Sequence, residues 1–201
     1  MTRLGTILGG AAVAMLAILA GLSTSTPAFA GDWTGNANFF LGQKSLDSDD
    51  WEPLENQGEF GAEVSWGKKA WPILIATDVL ISGDSDEISG NDVDAGTAEI
   101  DLGVRKIWEV KTFRPYVGGG LALISASFEF DLPGTSATID DDDSAVGAWV
   151  GGGAFWRVGS RFNIGGAIRY STADVEFGGE DIDAGGLSVG LLLGWGWPAE
   201  K

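Results

Sequence analysis

The amino-acid sequence predicts an all-β fold, an eight-stranded antiparallel up-and-down transmembrane β-barrel that is preceded by a cleavable signal peptide. Three observations predict this fold. Eight segments alternate apolar with polar residues, the connections between them alternate in length and charge, and seven of the nine tryptophans lie at the same end of the segments. Alternation with a period of two is typical of strands whose two faces meet different surroundings.

The N-terminal part of the chain has the three parts of a secretory signal peptide. Arg3 precedes an apolar run at 7–22, which is followed by a polar stretch, a proline and the tripeptide Ala-Phe-Ala at 28–30. The run is short for a membrane-spanning helix and contains three glycines, which favours cleavage over retention as an anchor. The predicted domains are therefore a signal peptide at 1–30 and a β-barrel domain at 31–201.

The composition excludes several classes of protein. The chain has no cysteine, so disulfide bonds do not hold its fold together, and it has no histidine, the commonest general base and transition-metal ligand. Its formal net charge is −17, which argues against nucleic acid as a partner because phosphates require a basic surface. We therefore predict that the protein is not an enzyme and has no cofactor.

The predicted strands have about the length that a tilted strand needs to cross a hydrocarbon layer, roughly nine to thirteen residues. The last segment is the clearest, because Leu193 and Trp195 share one face while Gly194 and Gly196 share the other. The glycine run at 118–120 leaves the facing of the fifth segment open. The segments are 33–41, 59–66, 73–81, 98–105, 116–130, 146–156, 162–171 and 187–197.

The connections fall into two classes that differ in charge as well as in length. The long connections, at 44–58, 82–96, 129–145 and 173–184, carry 21 acidic residues and one base, Lys44. The short turns, at 67–72, 107–115 and 157–161, and their flanks carry seven bases against Glu109 alone. Those bases are Lys68, Lys69, Lys106, Lys111, Arg114, Arg157 and Arg161. Long loops on one side and tight turns on the other are typical of membrane barrels.

The tryptophans lie at the short-turn end of the predicted strands. Indole rings collect at membrane–water interfaces because the ring is apolar and its N–H needs a polar partner. A basic ring of turns beside them fits anionic phospholipid headgroups. The predicted interface residues are Trp33, Trp66, Trp71, Trp108, Trp156, Trp195 and Trp197. At the opposite rim we expect the interface aromatics to be Phe39, Phe40, Phe128, Phe130, Trp149 and Tyr170.

The polar faces of the strands predict a charged interior. Its predicted ionisable residues are Glu59, Glu63, Asp78, Glu99, Asp101, Arg105 and Arg169, together with the polar residues Asn36, Asn38, Asn163, Ser65 and Ser171. One interpretation is a structural network of ion pairs, because an eight-stranded barrel has room only for side chains or one small ligand. The other is a cation-favouring passage, because five acids face two arginines.

The segment at 114–121, Arg-Pro-Tyr-Val-Gly-Gly-Gly-Leu, and the terminal strand resemble small eight-stranded outer-membrane β-barrel proteins, a group that includes the OmpA barrel domain, OmpX and OmpW. The resemblance implies a Gram-negative cell outer membrane, with both termini in the periplasm. The family usually ends on an aromatic residue, whereas here Trp197 is followed by Pro198-Ala199-Glu200-Lys201. The enzymes known on such barrels depend on histidine, which this chain lacks.

These observations predict a structural or surface-interaction protein whose acidic loops face outward. The alternatives are an OmpW-like, porin-like conduit for small or apolar solutes, and a secreted soluble ligand-binding barrel, against which the apolar strand faces argue. The run from Asp84 to Gly90 begins like a calcium-binding loop, but Ile88 stands where an oxygen ligand belongs. The partners that we expect are outer-membrane lipids. Weakly associated divalent cations would bridge the acidic loops to lipopolysaccharide.

Overall fold

The computed structural model describes residues 32–88, 91–131, 138–177 and 180–198, so the predicted signal peptide lies outside the described residues. The described chain forms ten strands and one short helix. These are β1 (Trp33–Ser45), α1 (Ser48–Trp51), β2 (Asn56–Lys68), β3 (Leu74–Ile88), β4 (Asn91–Ile107), β5 (Phe113–Asp131), β6 (Thr138–Val158), β7 (Phe162–Thr172), β8 (Asp174–Phe177), β9 (Glu180–Asp183) and β10 (Gly186–Trp197). Within those ranges no helix is both long and apolar enough to cross a bilayer.

Eight strands close into one antiparallel barrel in the order β1-β10-β7-β6-β5-β4-β3-β2, which confirms the predicted fold class. Each pairing joins barrel strands that follow one another along the chain, except the pairing of β1 with β10. That ladder runs from Gly35 opposite Trp197 to Ser45 opposite Leu187 and closes the barrel. The remaining strands, β8 and β9, form a separate two-stranded sheet.

Two predicted long loops are mainly strand, which corrects the sequence-based boundaries. The pairing of β3 with β4 continues to Ile88 opposite Asn91, and that of β5 with β6 to Asp131 opposite Thr138. Acidic residues have low β-propensity, so these stretches resemble loops in the sequence, but each ladder simply continues from the barrel wall. We call this the long-hairpin end and the opposite end the short-turn end.

The outer wall of the barrel is apolar over most of its height. On β5, whose facing the sequence left open, Val117, Leu121 and Leu123 point outward and are exposed. Other exposed apolar side chains on the wall include Leu41, Ile100, Leu102, Val150, Ile168, Val189, Leu191 and Leu193. A wall of this kind fits a hydrocarbon environment, in which a closed barrel satisfies its backbone hydrogen bonds internally.

Loops of the long-hairpin end fold over the mouth of the barrel and bury an apolar cluster, which we call the cap. Asp47 caps α1 by accepting a hydrogen bond from the Asp49 amide at 3.0 Å, and the helix places Trp51 under the loops. The Trp51 ring stacks on Phe128 at 4.7 Å, and its Nε1 donates to the Asp183 carbonyl oxygen at 2.9 Å. The cap also contains Leu46, Leu54, Val93, Ala126, Ala173, Val175 and Ala184.

Candidate functional site in the barrel interior

The structure places the predicted ionisable interior residues inside the barrel and brings six of them into one connected cluster, while Glu59 is buried on β2 without an ion pair to that cluster. Each of the seven is at most 4% exposed. They come from β2, β3, β4 and β7, because inward-facing positions alternate along each strand and the register aligns them across neighbouring strands. Two arginines organise the cluster.

Arg105 is the first of these arginines and joins β4 to β2 and β3. Its Nη2 donates to Asp78 Oδ2 at 2.7 Å and its Nη1 to Ser65 Oγ at 3.0 Å. The Glu63 carboxylate lies 3.6 Å from Nη1 and also accepts a hydrogen bond from the Tyr116 hydroxyl at 2.9 Å. Arg105 therefore holds two carboxylates that neither partner strand could bury alone.

Arg169 is the second and reaches from β7 across the interior to β4. Its Nη2 donates to Glu99 Oε1 at 2.7 Å and contacts the Asp101 carboxylate, while its Nη1 lies 3.8 Å from Asp78 Oδ2. Ser171 donates to the other Glu99 oxygen at 3.0 Å. Since Asp78 contacts both arginines, the two halves of the cluster form one network.

Trp149 lies inside this network, which corrects its predicted place at the membrane rim. Its ring centroid is 5.7 Å from Arg105 Cζ and 5.3 Å from Arg169 Cζ, within the range of cation–π attraction. Gly118 on β5 makes room for it, because a Cβ there would lie 3.1 Å from the ring. The glycine run that gave no facing signal therefore accommodates a tryptophan.

Two other predicted rim residues also differ from the expectation. Phe40 is fully buried inside the barrel, and Phe128 packs against the cap. Phe39 and Tyr170 are exposed on the outer wall, while the Phe130 side chain lies outside the described part of the structure. In an alternating strand, a shift of one position reverses the face, so Phe39 and Phe40 cannot both reach the lipid.

The sequence reasoning missed Lys44, which it assigned to a loop. Lys44 is fully buried at the end of β1, and its Nζ lies 3.3 Å from Glu99 Oε2. It also donates to Thr97 Oγ1 at 3.2 Å and to the Ala184 carbonyl oxygen at 3.1 Å. Even-numbered residues of β1 face inward, and extending this alternation by three residues would have predicted its position.

Arg157 and Arg114, which the sequence placed in the basic ring of turns, are also buried. Arg157 Nε donates to Asn163 Oδ1 at 2.7 Å and its Nη2 to Asn36 Oδ1 at 2.6 Å. Asn163 Nδ2 donates in turn to Asn38 Oδ1 at 2.8 Å. Arg114 is 5% exposed and donates to the Lys111 carbonyl oxygen.

The interior charges are therefore balanced, which corrects the argument for a cation-favouring passage. Among the residues whose burial is described, five buried acids are balanced in number by five buried bases, not two. The acids are Glu59, Glu63, Asp78, Glu99 and Asp101, and the bases are Lys44, Arg105, Arg114, Arg157 and Arg169. An excess of negative charge would favour cations, but an interior whose charges are equal in number has no such net preference.

Apolar side chains fill the interior beside the charged network. Phe40, Leu80, Tyr116, Phe155 and Leu192 form one buried cluster with Ala167. The Tyr116 and Phe155 ring centroids lie 6.2 Å apart. This second cluster lies beside the charged network, since Leu80 is opposite Glu99 in the β3–β4 register and Tyr116 donates to Glu63.

The outer surfaces of the two ends differ in charge. At the long-hairpin end, the described side chains include eleven exposed acids and no exposed base. The acids are Asp47, Asp49, Asp50, Glu52, Asp84, Asp86, Asp142, Asp174, Glu176, Glu180 and Asp181. At the short-turn end Lys68, Lys69, Lys111 and Arg161 are exposed. No group of three or more acidic side chains in the described residues is arranged to hold a metal ion.

Asp143, on the extension of β6 beyond the barrel wall, holds the β8–β9 sheet. Its Oδ2 accepts a hydrogen bond from the Glu176 amide at 2.8 Å. That bond, with a second from the Ser144 amide, holds the pKa of the Asp143 carboxyl below its ordinary value.

The predicted interface tryptophans lie at or beside the short-turn end of the barrel strands. Trp66, Trp71, Trp108, Trp156 and Trp195 are 37–51% exposed, and Trp33 and Trp197 are half-buried. Trp156 also contacts Phe113, with ring centroids 5.1 Å apart.

Comparison with known proteins gives one family match. A family model described as outer membrane protein beta-barrel domain matches residues 11–193 of the chain. Comparison with curated protein sequences gives no match.

Solved structures of low sequence identity share the fold. The attachment invasion locus protein Ail of Yersinia pestis, in complex with the heparin analogue sucrose octasulfate, has a TM-score of 0.59 at 12% identity, covering 83% of this chain and 100% of Ail. OprG from Pseudomonas aeruginosa has a TM-score of 0.53 at 14% identity, covering 84% and 97%. A major outer membrane protein from Thermus thermophilus has a TM-score of 0.53 at 11% identity, covering 82% and 98%. At these identities the likeness shows the fold alone.

Proposed function

Because the chain belongs to the outer membrane protein β-barrel domain family, we propose that it is a non-conducting barrel with a structural or surface-interaction role in the outer membrane. Membership of that family leaves no place for the alternative of a secreted soluble barrel. The observation that carries the proposal is the balanced and filled interior. The protein needs no catalytic residues for this role.

The interior supports a closed barrel in two ways. A solute crossing it would have to separate Arg169 from Glu99 and Asp101, and each separation would leave a buried charge unpaired. It would also have to displace the cluster that includes Phe40 and Phe155. Both costs oppose the OmpW-like conduit, which is therefore the alternative outcome of the test.

We propose that the long-hairpin end faces outward and the short-turn end faces the periplasm, after export by a signal peptide at 1–30 that is then cleaved. Long connections lie outside and short turns inside in bacterial outer-membrane barrels. The exposed lysines and tryptophans of the short-turn end suit the phospholipid headgroups of the inner leaflet.

The acidic outer surface supports a cationic partner. Ail was solved with a polyanion, sucrose octasulfate, whereas the eleven exposed acids of this chain would repel such a ligand. Hard divalent cations prefer carboxylate and phosphate oxygens. The partner we propose is therefore lipopolysaccharide, whose phosphates divalent cations would bridge to the loop carboxylates.

Planar-bilayer recording tests the closed barrel. We expect no discrete conductance steps from the folded protein. The double variant Leu80→Ala/Phe155→Ala removes two large side chains of the second apolar cluster and is expected to admit water and ions. It shows whether the assay detects an open barrel of this size.

Heat-modifiable gel migration verifies that both proteins are folded before recording. Reproducible conductance steps from the unaltered protein would contradict the proposal and favour the conduit. An absence of conductance steps from the unaltered protein, together with conductance steps from the variant, would support a structural role.

A further inference from the structure

Three tryptophans form one aromatic cluster at the turn between β2 and β3. The Trp33 and Trp66 rings stack with centroids 5.9 Å apart, and Trp71 meets Trp33 edge-on at 6.0 Å. Trp66 is 37% and Trp71 42% exposed, so the cluster is available on the outer wall. We call it the aromatic triad.

The local sequence explains how the triad assembles. Trp33 and Trp66 lie on neighbouring strands, at positions two residues out of step in the β1–β2 register. Trp71 turns back towards them because its amide donates to the Lys68 carbonyl oxygen at 2.9 Å. Gly67 leaves room for this ring, since a Cβ there would lie 3.0 Å from Trp71 Cε3.

Lysines surround the triad. Lys68 Nζ lies 6.0 Å from the Trp33 ring centroid, and Lys69 is exposed beside it. Lys106 from β4 joins them, because its Nζ donates to the Pro72 carbonyl oxygen of the same turn at 2.7 Å. The acid beside this turn is Asp32, whose carbonyl oxygen accepts from the Lys69 amide at 2.7 Å.

The other short turns lack this concentration of exposed positive charge. At the β4–β5 turn, Lys111 is exposed, whereas Arg114 is buried and lies 4.0 Å from the Glu109 carboxylate. At the β6–β7 turn, Arg161 is the exposed base among the described residues. General attraction to a membrane would not require three lysines beside one turn. The β2–β3 turn therefore differs from the other short turns in its concentration of positive charge.

We propose that the aromatic triad with Lys68, Lys69 and Lys106 binds the headgroup of one anionic phospholipid. The ammonium groups donate to the phosphodiester oxygens, and the acyl chains lie along exposed Trp66 and Ile73. Charge complementarity carries the choice of an anionic lipid over a zwitterionic one. The site lies in the inner leaflet, an assignment that rests on the proposed orientation of the barrel.

Fluorescence quenching by brominated lipid tests the site. The purified protein is reconstituted into symmetric phosphatidylcholine bilayers that contain a small fraction of either brominated phosphatidylglycerol or brominated phosphatidylcholine. We expect stronger tryptophan quenching by brominated phosphatidylglycerol. The preference should fall about five-fold for each lysine removed in Lys68→Gln/Lys69→Gln.

The matched control is Lys111→Gln/Arg161→Gln, which also removes two positive charges but takes them from the other two turns. This variant should keep the preference for phosphatidylglycerol. The variant Trp33→Phe/Trp66→Phe/Trp71→Phe should abolish preferential quenching while leaving the lysines in place. Raising salt from about 0.05 M to about 0.5 M should weaken the preference of the unaltered protein, because ions screen exposed charges. The salt dependence is measured on the unaltered protein, so it does not depend on whether a variant folds.

Equal quenching of the unaltered protein by both brominated lipids would overturn the proposal. So would an equal loss of preference in the two charge variants, because general net charge would then explain the effect. Symmetric bilayers make the result independent of orientation, and the assay measures no conductance. Failure here is therefore distinct from failure of the proposed function.

Discussion

Charged side chains occupy two regions of the molecule under different conditions, the interior of the barrel and the surface of the long-hairpin end. In the described part of the interior, five buried acids and five buried bases are equal in number. On the surface, eleven exposed acids have no exposed base beside them in the described residues. Burial makes an unpaired charge costly, whereas water and counterions solvate an exposed one. The interior charges therefore support the fold, whereas the exposed acids form a negatively charged surface that a cationic partner can reach.

The largest expected effect comes from breaking the interior network at Arg169. Arg169→Met would leave Glu99, Asp101 and Asp78 without a shared cation and lower the free energy of unfolding by about 3–5 kcal/mol. Equilibrium denaturation in detergent micelles measures the change. The matched control, Arg161→Met at an exposed turn, should alter stability by less than about 0.5 kcal/mol. Equal effects of the two variants would mean that the interior pairs contribute little to stability.

A smaller effect is expected from the exposed acids. Asp49→Asn/Asp181→Asn removes two carboxylates of the long-hairpin end and should weaken magnesium-dependent retention of lipopolysaccharide by about two-fold per residue. Native mass spectrometry with and without chelator measures the bound fraction. Asp32→Asn/Glu109→Gln removes two exposed acids from the short-turn end and serves as the control. Retention that resists chelation in the unaltered protein would contradict a cation bridge.

The smallest expected effect is a local one at Asp143. Its pKa in the folded protein is below its ordinary value of 3.8, so the contact with the Glu176 amide stabilises the β8–β9 sheet above about pH 4. As pH falls through the folded pKa, protonation weakens the contact and that stabilisation is lost.

Hydrogen exchange of the Glu176 amide should therefore show less protection at low pH, after correction for the intrinsic rate. Asp143→Asn should make this protection nearly independent of pH in the acid range. An unchanged pH profile in the variant would assign the dependence to another carboxylate.

Much of the barrel could be predicted from the sequence, because alternation identifies both a strand and its faces. Leu193 and Trp195 point outward, whereas Gly194 points inward, as expected. The ends of strands were less predictable. Acidic stretches such as 84–88 pair only because their partners continue the ladder, and no local pattern reports that pairing.

The interior was only partly predictable for the same reason. Lys44 and Arg157 lie at strand ends, where a charged residue reads equally well as part of a turn. By its type alone Trp149 is expected to face the membrane, but the register pairs it with Gly120, and its ring lies against Gly118 and between two arginines. An inward tryptophan depends on which residues stand opposite it across the barrel, which is long-range information.

The pairing of β1 with β10 has a consequence for how the chain folds. Every other barrel ladder joins successive barrel strands, so it forms with a modest loss of loop entropy, whereas this one must bring the two ends of the barrel sequence together. Until it forms, the backbone groups of both strands lack partners along a whole edge, which hydrocarbon does not tolerate. Closure of this seam and insertion into the bilayer are therefore coupled, and the seam ladder, from Gly35–Trp197 to Ser45–Leu187, is where assembly is completed.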